Sequence, residues 1–332
     1  MSAFDVFNGD ADGILALHQW RLAHPLDATL VTGIKREIAL LARVPAGRAK
    51  RVAVFDISLD TNRDALHRLL DARAEVLYFD HHYAGEIPQH AGLTAHIDTS
   101  AHTCTSLLVD RALGGMFRPW AIAAAFGDNA NETANQLAQE HGLNLAQTAL
   151  LEKLGTSINY NAYGEQITDL HVHPAELYAS LHAYTDPFAF IAQCPMFSHL
   201  SKGMATDYNT ATSLLPYVAS EDAALYLMPD APWARRIGGI FANSLVDAHP
   251  NRAHAIVTPD SGNSYTVSVR APQAFPQGAD ALCRQFPNGG GRARAAGINR
   301  LPAAALQDFQ QRFMAHFDAR TRQRDAAPAH AA

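Results

Sequence analysis

The sequence has 332 residues, of which 48% are hydrophobic and 17% are charged. Such a chain can bury more than one sizeable core, so we expect two domains and exclude intrinsic disorder. The formal net charge of −6 argues at first against a nucleic-acid partner, but it averages two unlike regions. Residues 1–230 carry 14 Lys and Arg against 26 Asp and Glu, a balance of −12, whereas residues 231–332 carry 12 against 6, a balance of +6. The sequence therefore indicates an acidic body followed by a basic region.

Three cysteines, Cys104, Cys194 and Cys283, lie far apart and share no Cys-x-x-Cys spacing. An odd number of scattered cysteines indicates a reducing compartment rather than a disulfide framework. The first residues are acidic where a signal peptide needs basic ones. Apolar runs such as Ala121–Phe126 are far too short to span a membrane. We therefore expect a cytoplasmic protein with no membrane segment.

The first 130 residues alternate short apolar runs with longer amphipathic segments. Five runs rich in Val, Phe and Tyr are typical of strands: Phe4–Phe7, Ala28–Thr32, Val52–Phe55, Val76–Phe79 and Thr94–Ile97. Helical periodicity between and after them predicts helices over Gly13–Ala23, Asn62–Ala72 and Cys104–Leu113. This alternation predicts an α/β fold with a parallel sheet covered by helices.

The rest of the chain is predicted to be mostly helical and then mixed. Helical segments are expected at 120–126, 131–141, 145–154, 175–183 and 210–219, which completes a first domain over 1–220 with a helical insert region. Residues 221–232 are predicted to be a linker. A helix over Trp233–Ala248, a hairpin formed by Ala253–Thr258 and Ser264–Arg270, a helix over Ala279–Phe286, a Gly-rich loop and a helix over Ala303–Arg320 predict a smaller α+β domain over 233–325. Residues 326–332 are expected to be a frayed tail.

Acidic residues follow several of the apolar runs. They are Asp10 and Asp12 after the first run, Asp56 after Val52–Phe55, Asp80 with His81 and His82 after Val76–Phe79, and Asp128 after Ala121–Phe126. In an open α/β sheet the carboxyl ends of the strands line the ligand crevice. A single Asp after a strand is commonly a helix N-cap, but several carboxylates in one crevice would repel one another unless cations were bound. Together with a histidine they favour Mn²⁺ or Mg²⁺.

These motifs resemble those of the DHH phosphoesterase family. Asp80-His81-His82 is similar to the motif that names the family, and its other motifs resemble Asn8-Gly9-Asp10-Ala11-Asp12-Gly13, Val54-Phe55-Asp56 and Phe126-Gly127-Asp128-Asn129. Val267-Ser268-Val269-Arg270, Ala281–Phe286, Gly289-Gly290-Gly291-Arg292 and Ala295-Ala296-Gly297 resemble the DHH-associated C-terminal domain. The resemblance covers nearly the whole chain.

The resemblance implies a hydrolase with two Mn²⁺ ions, its active site lying in the cleft between the two domains. It implies that Asp10 and Asn8 bind one ion, that Asp12, His81 and Asp128 bind the other, and that Asp56 bridges the two. Asp80 would orient the histidines, and His82 would contact the scissile phosphate or the leaving oxygen. The substrate would be held by the residues Arg270, Gly289, Gly290, Gly291, Arg292 and Arg294.

The sequence departs from the family pattern in two respects, one at the first motif and one after the three glycines. Asn8 stands where relatives have an acid, Val6 stands where others have a histidine, and Arg292 replaces the usual histidine after the three glycines. An uncharged amide at Asn8 weakens one metal site. Arg292 keeps a donor and adds a fixed positive charge, which suits a phosphate contact.

The resemblance implies a phosphodiesterase that hydrolyses very short linear oligonucleotides, or linear dinucleotides such as pGpG, to mononucleotides. The acidic body disfavours a long basic groove for tracking nucleic acid. The alternatives are a RecJ-like single-strand exonuclease, a pyrophosphatase or polyphosphatase, and a catalytically degenerate nucleotide-binding protein, which Asn8 would favour. Relatives often dimerise, and the sequence leaves a homodimer open.

Overall fold

The structure is a computed structural model that describes residues 2–318. The chain forms two compact units, one ending at Met204 and the other beginning at Ala205, whereas the sequence predicted a boundary at residue 220. The predicted frayed tail, residues 326–332, lies outside the described residues. Within residues 2–318 no helix is both long enough and apolar enough to cross a membrane.

The first unit is built on a parallel sheet of five strands: β1 (Ser2–Phe7), β2 (Thr29–Val31), β3 (Ala49–Phe55), β4 (Glu75–Asp80) and β5 (Leu93–Ile97). Their order is β2-β1-β3-β4-β5, and each neighbouring pair is parallel. Alternate residues of β3 point to opposite faces, so Phe55 belongs to one buried core and Val54 to another. A sheet that is buried on both faces explains why these strands are continuous apolar runs.

The helices that follow or separate these strands are α1 (Ala11–Ala23), α2 (Arg63–Asp71), α3 (Thr105–Ala112), α4 (Arg118–Gly127), α5 (Asn131–Glu140), α6 (Leu145–Asn161), α7 (Pro174–Leu181), α8 (Pro187–Gln193) and α9 (Pro195–Thr212). Helices α4 and α6 pack very closely at Gly155, where a Cβ would lie 1.8 Å from the carbonyl oxygen of Ala123. This packing holds the C-terminal end of α4, and with it Asp128, in a defined position.

The second unit contains a sheet of six strands: β6 (Val218–Ala219), β7 (Ala223–Leu227), β8 (Ala253–Asp260), β9 (Ser264–Arg270), β10 (Gly289–Arg292) and β11 (Ala295–Pro302). Their order is β10-β11-β9-β8-β7-β6. The helices are α10 (Pro232–Ala248), α11 (Ala279–Cys283) and α12 (Leu306–His316). The predicted hairpin is confirmed, because β8 and β9 pair antiparallel around the turn at 261–263.

Three predictions for this part of the chain were wrong. The predicted linker, 221–232, contains β7, a buried strand that pairs with β8; its two prolines lie after the strand. The predicted helix over 210–219 ends at Thr212 and is followed by β6, so only its first residues are helical. The predicted Gly-rich loop is β10, an edge strand paired with β11, because the small glycines allow close approach of the neighbouring backbone.

Candidate metal centre

The acidic residues predicted from the sequence come together at the carboxyl ends of β1, β3 and β4. Asp10 and Asp12 begin α1, Asp56 follows β3, and Asp80 ends β4. Asp128 follows the helix α4, which agrees with the helix predicted over 120–126. A carboxylate at the negative end of a helix dipole is unfavourable without a compensating cation.

His81 lies at the centre of this cluster. Its Nδ1 lies 3.1 Å from the carbonyl oxygen of Thr103, and since a carbonyl only accepts, Nδ1 must carry the proton. Nε2 then points away from this hydrogen bond, and a ring held through Nδ1 in this way is the arrangement found in histidine ligands of metals.

Three carboxylates surround Nε2 of His81. His81 Nε2 lies 3.5 Å from Asp56 Oδ1, 3.8 Å from Asp128 Oδ2 and 3.9 Å from Asp12 Oδ2. These separations are too long for hydrogen bonds. The separations to Asp12 and Asp128 match ligands that each lie about 2.1 Å from one shared ion. Asp12, His81 and Asp128 offer ligand atoms that all lie within 4.8 Å of one another, and so do Asp56, His81 and His82. The donor set therefore fits a divalent cation.

The start of α3 positions two of these carboxylates. The backbone N–H groups of Thr105 and Ser106 donate to the two oxygens of Asp12, at 2.6 and 2.7 Å. The Thr105 hydroxyl donates to Asp56 Oδ1 at 3.1 Å. The carboxylate of Asp12, at the start of α1, therefore caps the N-terminus of α3. Each carboxylate is fixed from one side and keeps lone pairs for an ion.

Asp56 is held in an unfavourable conformation and an unfavourable electrostatic environment. Its φ of 60° lies in the left-handed region, where Asp is tolerated better than most residues but is still strained. Burial, followed by the charges of Asp10, Asp12 and Asp128, raises the pKa of Asp56 well above its usual value. Burial and the charge of Asp12 likewise raise the pKa of Asp128 to about 6, despite the opposing charge of Lys35. A bound cation would relieve this repulsion.

Asp80 and His82 form a separate hydrogen-bonded pair beside the cluster. His82 Nδ1 donates to Asp80 Oδ1 at 2.8 Å. Burial lowers the pKa of His82, but the hydrogen bond and charge of Asp80 outweigh it, so the pKa is raised. Asp80 is buried, and its Oδ2 has no hydrogen-bond partner among the described residues. The pair therefore favours a protonated, oriented His82 near the carboxylates.

Lys35 also reaches the cluster, although it was not among the residues predicted from the sequence. Its Nζ lies 2.5 Å from Asp10 Oδ2 and 3.9 Å from Asp128 Oδ1. Burial would lower the pKa of Lys35, but the charges of Asp10, Tyr163 and Asp128 raise it well above its usual value. The rule that found the acids could have found Lys35, because it follows strand β2 at the same edge of the sheet.

Asn8 and Asp10, predicted to bind one ion, are engaged elsewhere. Asn8 Oδ1 accepts the N–H of Asp10 at 3.2 Å, and Asn8 Nδ2 donates to the Lys35 carbonyl at 3.3 Å. Asp10 Oδ1 caps α1 by accepting the N–H groups of Asp12 and Gly13, each at 3.1 Å. Its other oxygen faces Lys35.

The residues expected to hold substrate lie in the second unit. Arg270 and Arg292 both pair with Ala295, from opposite sides of β11, and directly paired residues point to the same face of a sheet. Arg270 Nε donates to Asn243 Oδ1 at 2.8 Å, while Arg292 and Arg294 are exposed. The neighbouring residue pair on the same face of the sheet is Gly290 with Gly297. Neither glycine has a side chain, so the backbone next to the two arginines is not covered by side chains of this pair. Gly289 and Gly291 lie in the alternate rows of β10.

No protein-family model matches the sequence, and no curated protein matches it either. Solved structures do share its fold. A RecJ exonuclease bound to manganese has 18% sequence identity and a TM-score of 0.61 over 96% of this chain and 90% of that chain. The DHH domain of a protein from a ribosomal-protein family has 13% identity and a TM-score of 0.57, covering 95% and 86% of the two chains. The pGpG-specific phosphodiesterase PggH from Vibrio cholerae has 12% identity and a TM-score of 0.56, covering 96% and 99%.

The protein therefore belongs to the class of two-unit α/β proteins whose acidic residues gather at the carboxyl edge of a parallel sheet. Within that class its fold is the DHH fold, and the expected fold class is confirmed.

Proposed function

We propose that the protein is a divalent-metal-dependent phosphodiesterase that hydrolyses very short linear oligonucleotides or dinucleotides, such as pGpG, to mononucleotides. The observation that carries this proposal is the orientation of His81, whose Nε2 faces Asp12, Asp56 and Asp128 at 3.5–3.9 Å. Solved structures of the same fold include a RecJ bound to manganese and a phosphodiesterase specific for pGpG. Mn²⁺ is therefore the proposed ion, and Mg²⁺ suits the same oxygen donors.

The proposed ligands are Asp12, His81 and Asp128, with Asp56 on the neighbouring side of His81. A divalent ion held there would lower the pKa of bound water towards about 7, which is the chemistry that would provide hydroxide for the attack. No protein nucleophile is then needed. Helix α3 and the Thr103 carbonyl keep the ligands in place, so little reorganisation is required during the reaction.

His82 is proposed to serve the leaving group. Asp80 accepts from Nδ1 and raises the pKa of His82, which favours the imidazolium form. A charged imidazolium can donate a hydrogen bond to a phosphate oxygen and pass a proton to the leaving oxygen. Asp80 is then a positioning residue that acts through His82.

The substrate's second phosphate is assigned to the basic face of the second unit. Arg270 and Arg292 share that face, two strands apart, with the uncovered backbone of Gly290 beside them. Arginine binds phosphate through two parallel hydrogen bonds, and backbone N–H groups can add to them. Arg294, in the turn after β10, is exposed and adds positive charge.

A RecJ-like single-strand exonuclease is the second candidate. The likeness to RecJ over 90% of that chain favours it. The acidic balance of residues 1–230 favours the short substrate instead, because a long strand needs a continuous basic groove.

One assay separates these functions. The purified protein with Mn²⁺ is offered a 5′-phosphorylated diribonucleotide, a longer RNA, single-stranded DNA, pyrophosphate and a cyclic dinucleotide. We expect fastest turnover of the diribonucleotide and complete loss on adding EDTA. Faster turnover of long single-stranded DNA would establish the RecJ-like alternative, and turnover of none of the five would refute an enzymatic role.

Variants connect the assay to the site. Asp56→Ala and His81→Ala should abolish activity while circular dichroism shows an intact fold. The matched controls are Asp71→Asn and His67→Ala, both exposed on α2, and they should keep full activity. Normal turnover by either site variant would contradict the proposed ligand set.

A further inference from the structure

The strongest feature outside the proposed ligand set is the ammonium group of Lys35. It enters the carboxylate cluster from the segment after β2 and lies between Asp10 and Asp128. The resemblance to the DHH family implies two divalent ions at this edge of the sheet. The ligands implied for one of these ions are Asn8 and Asp10, and the side chains of both are already hydrogen-bonded to other groups of the protein.

We propose that the Lys35 ammonium takes the place of one of the two divalent cations, so that the centre binds a single metal ion. This inference rests on the proposed metal-dependent function, since it concerns the same cluster. It assigns the remaining ion to Asp12, His81 and Asp128, with Asp56 on the neighbouring side of His81.

The ligands implied for the missing ion are engaged with the protein itself. Asp10 uses one oxygen to cap α1 and the other to contact Lys35. Asn8 uses its amide oxygen for the N–H of Asp10 and its amide nitrogen for the Lys35 carbonyl. Asn8 therefore holds the backbone at Lys35 through this hydrogen bond. This role explains why an amide can stand where relatives have an acid.

Several contacts besides the ion pair with Asp10 hold Lys35 in place. Asn159 Oδ1 accepts from Nζ at 3.2 Å, and the Tyr163 ring centroid lies 5.5 Å from Nζ, a cation–π distance. The backbone N–H of Lys35 donates to the Ala162 carbonyl at 3.0 Å. Its side chain is 26% exposed. Three groups at the end of α6 and just after it thus fix the lysine on the cluster.

The two carboxylate oxygens of Asp128 face two different places, the Lys35 ammonium and the proposed ion position beside His81. Its Oδ1 faces Lys35 and its Oδ2 faces His81. A carboxylate that bridges two metal ions presents one oxygen to each in the same way. Here the ammonium occupies one side of that bridge.

Lys35 and a single ion already come close to balancing the formal charge of the cluster. The carboxylates Asp10, Asp12, Asp56 and Asp128 supply four negative charges. Lys35 and one divalent ion supply three positive charges, which leaves a formal balance of −1 before phosphate arrives. Two divalent ions with Lys35 would supply five, and they would set three cationic groups against one another in a buried site.

The test is the number of Mn²⁺ ions bound per chain. It is measured by mass spectrometry of the metal after gel filtration and by isothermal titration with Mn²⁺ alone. Electron paramagnetic resonance gives a second readout, because two neighbouring Mn²⁺ ions couple and lose the signal of an isolated ion. The variants are Lys35→Met and the double change Asn8→Asp with Lys35→Met. The control is Lys50→Met, an exposed lysine of β3.

We expect one ion per wild-type chain with the spectrum of an isolated Mn²⁺, and the same result for Lys50→Met. The double variant should bind a second ion and show magnetic coupling, and Lys35→Met should bind it more weakly. Two coupled ions in the wild type would overturn the inference while leaving the proposed function intact. A double variant that still binds one ion would also overturn it. A wild type that binds no ion would refute the metal-dependent function and the inference together.

Discussion

The substitution Asp128→Asn should stabilise the metal-free protein and weaken its binding of metal. Raising the pKa of Asp128 from the usual 3.8 to about 6 corresponds to about 3 kcal/mol of free energy. Because the folded pKa is raised, the folded protein binds this proton more tightly than the unfolded chain. The ionised carboxylate therefore costs stability above pH 6, and the cost disappears as the pH falls from 6 towards 3.8.

Urea unfolding in EDTA tests this reasoning. At pH 8 we expect Asp128→Asn to be more stable than the wild type by up to about 3 kcal/mol, a figure that already includes the attraction of Asp128 to Lys35. At pH 4 the two should be equal. Mn²⁺ at a thousandfold its Kd should reverse the order at pH 8, because it stabilises the wild type by about 4.1 kcal/mol and the variant by much less.

The control is Asp71→Asn, an exposed carboxylate on α2, which should match the wild type in every condition. A variant that is less stable than the wild type in EDTA at pH 8 would refute the account of charge repulsion. Equal stabilisation of both proteins by Mn²⁺ would remove Asp128 from the ligand set.

Three further predictions concern packing and substrate. Arg21→Met leaves the buried Asp5 carboxylate without its partner, since Arg21 Nε donates to it at 2.8 Å, and should cost about 3–5 kcal/mol in urea unfolding; no loss would mean that the pair is not formed. Gly155→Ala places a Cβ against the Ala123 carbonyl and should lower stability by at least about 1–3 kcal/mol in the same assay. Arg292→Ala should raise KM for a diribonucleotide more than it lowers kcat, and the opposite pattern would place Arg292 in the chemical step.

The parallel sheet could be predicted because its strands are short apolar runs separated by helical periodicity. The carboxyl-edge rule then placed Asp12, Asp56 and His81 together, and the structure brings them together. Asp128 belongs to the same cluster but lies at the C-terminal end of a helix and not at the end of a strand. Its position could be predicted because the motif fixed its spacing, although the element before it was not a strand.

The engagement of Asn8 and Asp10 could not be predicted, since it depends on contacts made across the fold. Lys35 and Asn159 are 124 residues apart in the chain, so the local sequence does not show the contact that fixes the lysine on Asp10. The predicted linker rested on two prolines, although a run of small apolar residues precedes them. That run is buried as β7 only because it pairs with β8, a contact that the local sequence does not show.

Anomalous diffraction from a crystal grown with Mn²⁺ would test the central claim most directly. We predict one peak, bounded by Asp12 Oδ2, His81 Nε2 and Asp128 Oδ2, and no second peak beside Asp10, where Lys35 lies. The absence of any peak near His81 would contradict the assignment of these residues to a metal centre.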